Sequence, residues 1–161
     1  MTDLALLPLA SGTAALRRAR REDVPAIVAL LADDQLSTGN EGGDGGLAPY
    51  LRAFEAVDAD PAHLLVVVEA DGEVIGTLQL SVLPSLPHRG ALRGQLEGVH
   101  VRADHRGGGL GAALVGWAVD EARRRGCTLV QLTSQKRRVD AHRFYERLGF
   151  SRSHDGFKLQ V

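Results

Sequence analysis

Apolar residues recur along this chain at two spacings, and the switches between them mark out the elements. From Arg21 to Asp34, Val24, Ile27, Val28, Leu30 and Leu31 lie on one face of a predicted helix. Ala48–Asp58 repeats that period, with Pro49 in the first turn, where its missing N–H costs nothing. His63–Ala70, HLLVVVEA, is rich in branched residues and predicts a strand. Asp71-Gly72 then marks a tight hairpin into a strand over Glu73–Leu83. Thr13–Ala19, Ala91–Val101 and Cys127–Thr133 predict three more strands. A longer helix is predicted from about Gly109 to Arg125, with Leu110, Leu114, Trp117 and Ala118 on one face and Gly126 as its stop. Asp140–Gly149 predicts a short helix, and FSRSHDGFKLQV a terminal hairpin around Asp155-Gly156. Ser37–Gly46 and Pro84–Gly90 read as loops, and residues 1–12 as a flexible N-terminal extension. Hairpin, strand, helix and strand in that order predict one mixed α/β sheet in a single domain spanning 1–161.

Composition narrows the class. A hydrophobic share of 44% with 24% charged residues is that of a globular domain. Cys127 is the only cysteine, which excludes an internal disulfide and fits a reducing, cytoplasmic setting. The opening MTDLALLPLASGTAAL lacks a basic stretch before its apolar run, so no signal peptide is expected. No apolar run reaches the roughly 18–20 residues of a membrane span. Net charge is −1 but uneven. Between Asp33 and Asp60, seven acids (Asp33, Asp34, Glu41, Asp44, Glu55, Asp58 and Asp60) face only Arg52. Arg123, Arg124, Arg125, Lys136, Arg137, Arg138, Arg143 and Arg147 outnumber Glu121, Asp140 and Glu146 later on. Such a basic half reads either as a site for an anion or as a solvated helix face. Aromatic residues are not interleaved with it, so a nucleic-acid partner is not expected.

The densest chemical signal is HRGGGLGAAL, His105–Leu114, where four glycines precede a helix. The first N–H groups of a helix lack partners within it and sit at the positive end of its dipole, so this is a place for an anion. Neither the GxxxxGK loop nor the dinucleotide GxGxxG pattern fits. The order Arg106-x-x-Gly109-x-Gly111 instead resembles the acetyl-CoA signature RxxGxG of the GNAT superfamily of N-acetyltransferases. FYERLGF, Phe144–Phe150, resembles the family's C-terminal motif, and EDVPAIVALL and DGEVIGTLQL its first helix and second hairpin.

That resemblance implies a mostly antiparallel sheet with a V-shaped splay between the fourth and fifth predicted strands, flanked by about four helices. It implies that backbone N–H groups of Arg106, Gly107, Gly108, Gly109, Leu110 and Gly111 hold the coenzyme A pyrophosphate. Val99, His100 and Val101 would pair with the pantetheine arm, and Tyr145 would lie near the sulfur. Many members carry asparagine seven residues before this tyrosine. Here Arg138 stands there, which points it at a coenzyme phosphate or an anionic substrate.

An amine must lose its proton to attack a thioester, and a thiolate must gain one. Glu97 is the candidate base, or else a ligand for the substrate cation. Strict alternation puts it with Val99 and Val101 on one face, opposite Leu96 and His100. Tyr145 is the candidate acid, standing one step off the Ala141, Phe144, Leu148 stripe. His100 and His105 are weaker candidates for catalysis. Histidine, cysteine and carboxylate spacing offers no metal site. The acceptor is expected between Asp33–Tyr50, which is acidic, and Pro84–Arg93, which carries His88, Arg89 and Arg93. A small amine that also bears an anion fits both. The expected activity is therefore acetyl-CoA-dependent N-acetylation of a small molecule by direct attack, in a homodimer. A protein or peptide acetyltransferase and an acyl-CoA-binding module without turnover are the alternatives.

Overall fold

Alternation in the strand His63–Ala70 decides how the layers stack. Its Leu64, Val66 and Val68 enter one core cluster, while Val67 enters a second on the other side of the sheet. The structure, a computed structural model, describes residues 3–33 and 46–161. Its elements in chain order are β1 (Ala5–Pro8), β2 (Thr13–Arg18), α1 (Val24–Ala32), α2 (Ala48–Ala59), β3 (His63–Ala70), β4 (Glu73–Leu83), the single turn α3 (Pro87–Gly90), β5 (Leu92–Val101), α4 (Leu110–Arg124), β6 (Cys127–Gln131) and α5 (Val139–Arg147). The six strands follow one another in sequence order across one sheet. Every neighbouring pair is antiparallel except β5 and β6, which α4 joins as a parallel crossover.

One layer covers each face. On one side Leu110, Leu114, Val115, Ala118 and Ala122 of α4 pack with Leu16, Val66 and Leu80 of the sheet in a single buried cluster. On the other, Val24, Ile27 and Val28 of α1 and Phe54 of α2 close over Val67. The entry to α1 is held by a buried ion pair. Arg17 donates from Nη1 and Nη2 to both Asp23 carboxylate oxygens, at 2.7 and 2.9 Å, and from Nε to Glu69 at 2.8 Å. Asp23 also accepts the Arg20 N–H at 2.7 Å, which caps the turn before α1.

Three expectations change. The extension expected over 1–12 is instead tied to the sheet: Ala5–Pro8 is a strand on β2, and Ala10 lies 3.7 Å from the point where a Cβ on Gly108 would sit. Residues 151–161 are exposed and form no hairpin. The third concerns β5. Thr77 pairs with His100 but Gln79 with Glu97, so two residues of β5, Gly98 and Val99, oppose Leu78 alone. This is a bulge, and Gly98 supplies it at φ +59°, where side chains are strained. The pleat changes phase there. Leu96, Val99 and Val101 all pack with the α4 cluster, so Glu97 does not share a face with Val99 and Val101.

Candidate active site

The bulge ends regular pairing at the point where β6 also departs. The β5–β6 ladder runs from Leu92 to Gln95 on β5 and from Cys127 to Gln131 on β6. Beyond it β5 continues to Val101 with no β6 partner, so the two strands part. A cleft of about 100 Å³ opens in this splay. One wall is Leu96 to His100 of β5, the other the segment Leu132 to Ser134 that follows β6, and Arg138 at the head of α5 closes it with Ala141 and Tyr145. Glu97 and Tyr145, distant in sequence, therefore face one space.

Each wall is fixed locally. Gln131 Nε2 donates to Gln95 Oε1 at 2.8 Å, pinning the apex of the splay. Tyr145 is wedged edge-on between Phe144 and Phe150, with ring centroids 5.1 and 5.7 Å away. Burial pushes the Tyr145 phenol above its ordinary value, and the positive charge of Arg138 opposes that only in part. The phenol thus keeps its proton at neutral pH and is available as a donor. Ser134 Oγ is buried in the same cleft and makes no hydrogen bond among the described residues. A buried hydroxyl without a partner is costly, so the cleft suits a ligand that supplies an acceptor or donor there. Sequence reasoning missed Ser134, because the sequence shows nothing to separate it from any other serine in a loop.

The glycine loop abuts the end of β5. Arg106 Nε donates to the Val101 carbonyl at 2.8 Å, so the arginine of RxxGxG clips the strand end. Gly107 and Gly109 adopt φ +81° and +87°, and Gly109 is the residue from which α4 starts. The Ala113 N–H is the first to return to it, at 3.0 Å to the Gly109 carbonyl. The Leu110, Gly111 and Ala112 N–H groups are consequently first-turn donors at the positive end of α4. A Cβ on Gly111 would stand 3.5 Å from Phe144, an ordinary contact, so space alone does not demand glycine there.

Other candidates sort by position. His100 lines the cleft. His105 pairs with Asp104 at 2.8 Å, and Asp104, hydrogen-bonded by Arg102 and then His105, titrates at about 2. Arg123, Arg124 and Arg125 pair with Asp120 and Glu121 of their own helix, the solvated-face reading of that run. His88, Arg89 and Arg93, expected beside the acceptor, lie outside the cleft. Arg93 opens β5 four residues before Glu97, about 13 Å away at the usual strand rise, and none of the three lines the cleft. The basic residue that does line it is Arg138. Leu31 of α1 lies 3.8 Å from where a Cβ on Gly98 would be, so α1 ends beside the bulge. Of the Asp33–Tyr50 segment, 34–45 lie outside the described residues. Among the described residues, no group of three or more histidine, cysteine or acidic side chains could hold a metal, and no helix is long and apolar enough to cross a membrane.

A parallel β5–β6 pair splays apart beside the glycine-rich start of α4, and a carboxylate, Glu97, and a phenol, Tyr145, line the gap. Comparison with known proteins gives the class its name. The model of the acetyltransferase (GNAT) family matches residues 24–150, and the chain belongs to that family. It is an N-acetyltransferase of the GNAT fold. It is 32% identical over 145 residues to the aminoalkylphosphonate N-acetyltransferase of Salmonella typhimurium, covering 88% of each chain. It is 31% identical over 127 residues to the streptothricin acetyltransferase of Streptomyces lavendulae, covering 79% of this chain and 58% of that one. Among solved structures, a transcriptional regulator from Bacillus halodurans superposes with a TM-score of 0.87 at 40% identity, covering 92% of this chain and 99% of that one.

Proposed function

We propose that this enzyme transfers the acetyl group of acetyl-CoA to the primary amine of a small molecule that also bears an anion. The observation that carries this reading is the single cleft shared by Glu97, Tyr145, Ser134 and Arg138. Acetyl-CoA brings the activated acetyl thioester. The α4 first turn and the Arg106–Gly111 backbone offer N–H groups to its pyrophosphate. The edge of β5 that turns away from β4 at Val99 and Val101 offers main-chain partners to an extended amide-bearing arm, whereas the expected partner His100 has its carbonyl beside Gly76 of β4.

Glu97 takes the proton that the attacking amine must lose. The new C–N bond forms as the C–S bond breaks, and Tyr145 delivers a proton to the departing thiolate. Ser134 hydrogen-bonds the reacting group, and Arg138 pairs with the anion of the acceptor. The likeness to an aminoalkylphosphonate N-acetyltransferase supports an acceptor of this kind. Small amines of this class are met in the cytoplasm, which we infer to be the working compartment. We infer also that the enzyme acts as a homodimer.

The test is thiol release from acetyl-CoA with a matched panel of aminoalkylphosphonates, aminoalkyl carboxylates, plain alkylamines and short peptides. Turnover is expected with amines that bear an anion, phosphonates above all. Turnover with peptides alone would replace the small-molecule reading. Tight acetyl-CoA binding with no thiol release from any amine would leave a binding module.

A further inference from the structure

The sheet face that carries Glu97 is the one covered by α1 and α2, and it holds a row of polar side chains besides the catalytic pair. Leu80 pairs with Leu96 and both enter the α4 cluster, so their neighbours Gln79, Ser81 and Glu97 point the other way. Gln79 stands directly opposite Glu97 in the β4–β5 ladder, which sets their Cβ atoms about 4.5–5.5 Å apart on one face. Ser81 in turn stands opposite His63 of β3. Gln79 Nε2 donates to Ser81 Oγ at 3.2 Å, and Ser81 Oγ lies 2.8 Å from His63 Nδ1. Ser81 is buried and has one hydrogen to give. By accepting from Gln79 it keeps that hydrogen for His63, so the serine is satisfied and the Gln79 amide is held by its nitrogen.

An amide held by its nitrogen has its oxygen to spare. No hydrogen bond reaches Gln79 Oε1 among the described residues, and the exposed carboxylate of Glu97 has neither a hydrogen-bond nor an ion-pair partner among them. Two acceptors thus stand side by side with no donor to serve them. A primary ammonium carries three N–H donors, and Glu97 uses one. We propose that Gln79 is a substrate-binding residue, whose Oε1 accepts a second N–H of the acceptor's ammonium and holds that nitrogen beside Glu97. Ser81 is its positioning residue, since it fixes which end of the amide is presented. A compound without the amine leaves both oxygens unpaired, so the pair selects for amines. This inference rests on the proposed acetylation of a small amine and names the group that grips the reacting nitrogen.

Kinetics with two probes test it: aminoethylphosphonate as acceptor, and propylphosphonate, in which a methyl replaces the amine, as competitive inhibitor. Gln79→Leu should raise KM for aminoethylphosphonate by roughly 10- to 100-fold, the loss expected for one hydrogen bond to a charged group. Its kcat at saturation should stay close to the parent's, the pattern of lost binding rather than lost chemistry. Inhibition by propylphosphonate should be unchanged, because that compound has no N–H to lose. Ser81→Ala should raise KM by a smaller factor, and Ser81→Thr, which keeps the hydroxyl, should restore it. An unaltered KM in Gln79→Leu would overturn the inference and leave the acetylation reading standing. A propylphosphonate inhibition constant that rises as much as KM would show a distorted site and overturn it as well. If the melting curve shows Gln79→Leu to be unfolded, the Ser81 variants decide, and a parental KM in Ser81→Ala would overturn the inference. A parent inert toward aminoethylphosphonate would overturn the substrate reading and this inference together.

Discussion

Gly109 carries two demands at once. Its backbone sits at φ +87° and its N–H begins the donor-rich start of α4. Gly109→Ala therefore adds backbone strain of about 1–2 kcal/mol without charge. Gly109→Glu adds the same strain and a carboxylate where phosphate is proposed to bind. Calorimetry with acetyl-CoA should find weakened binding for Ala and none measurable for Glu. Equal affinities for the two variants would sink the phosphate assignment. The acid and base separate in a similar way. Tyr145→Phe keeps the ring wedge between Phe144 and Phe150 but loses the proton, so kcat should fall by on the order of 10- to 1,000-fold. A donor with an activated aryl thiol as leaving group should restore this variant, since that thiolate needs no proton. It should not restore Glu97→Gln, whose defect lies in the amine and whose kcat/KM should lose its acidic limb. Equal rescue of both would refute the assignment of roles.

At the scale of elements, the Arg17–Asp23–Glu69 cluster joins β2, β3 and the start of α1. Burial pushes the Asp23 carboxyl up, but the hydrogen bonds from Arg17 and the Arg20 N–H outweigh it and hold the carboxyl below its ordinary value. The unfolded chain consequently takes up that proton first. The stability Asp23 contributes is complete above about pH 4 and fades as the pH falls further. Asp23→Asn leaves the buried guanidinium to Glu69 alone, at a cost of about 1.5–3 kcal/mol. The melting temperature at neutral pH should drop by on the order of 10 °C, and stability should change less between pH 4 and 2 than in the parent. An unchanged melting temperature would show the cluster to be dispensable.

Elements were legible in the sequence where local signals agreed. HLLVVVEA and EVIGTLQLSVL are β3 and β4 residue for residue, since branched residues and the Asp71-Gly72 turn point the same way. β1 was not legible: ALLP is short and stands as a strand only through its pairing with β2. The phase change in β5 was missed because Gly98 is one glycine among 19, and only the register with β4 reveals it as a bulge. Glu97 and Tyr145 were singled out through the family resemblance and both line the cleft, whereas Ser134 stands out through burial alone.

For the whole molecule, the proposed homodimer would tie stability to concentration, because an assembled state gains by mass action. The melting temperature should rise with protein concentration from nanomolar to micromolar. A flat profile would count against the homodimer. The splay of β5 from β6 has a further consequence. Past Gln95, β5 turns one row of main-chain groups toward the cleft in place of a neighbouring strand. Whatever lies along that row is recognised by atoms that every residue except proline carries. Side-chain replacement at Val101, whose main chain turns away from β4, leaves the row intact, whereas Val101→Pro deletes an N–H from it. A ligand held along this row would persist through side-chain drift at Val101, and a catalogue of tolerated side chains would record that position as silent.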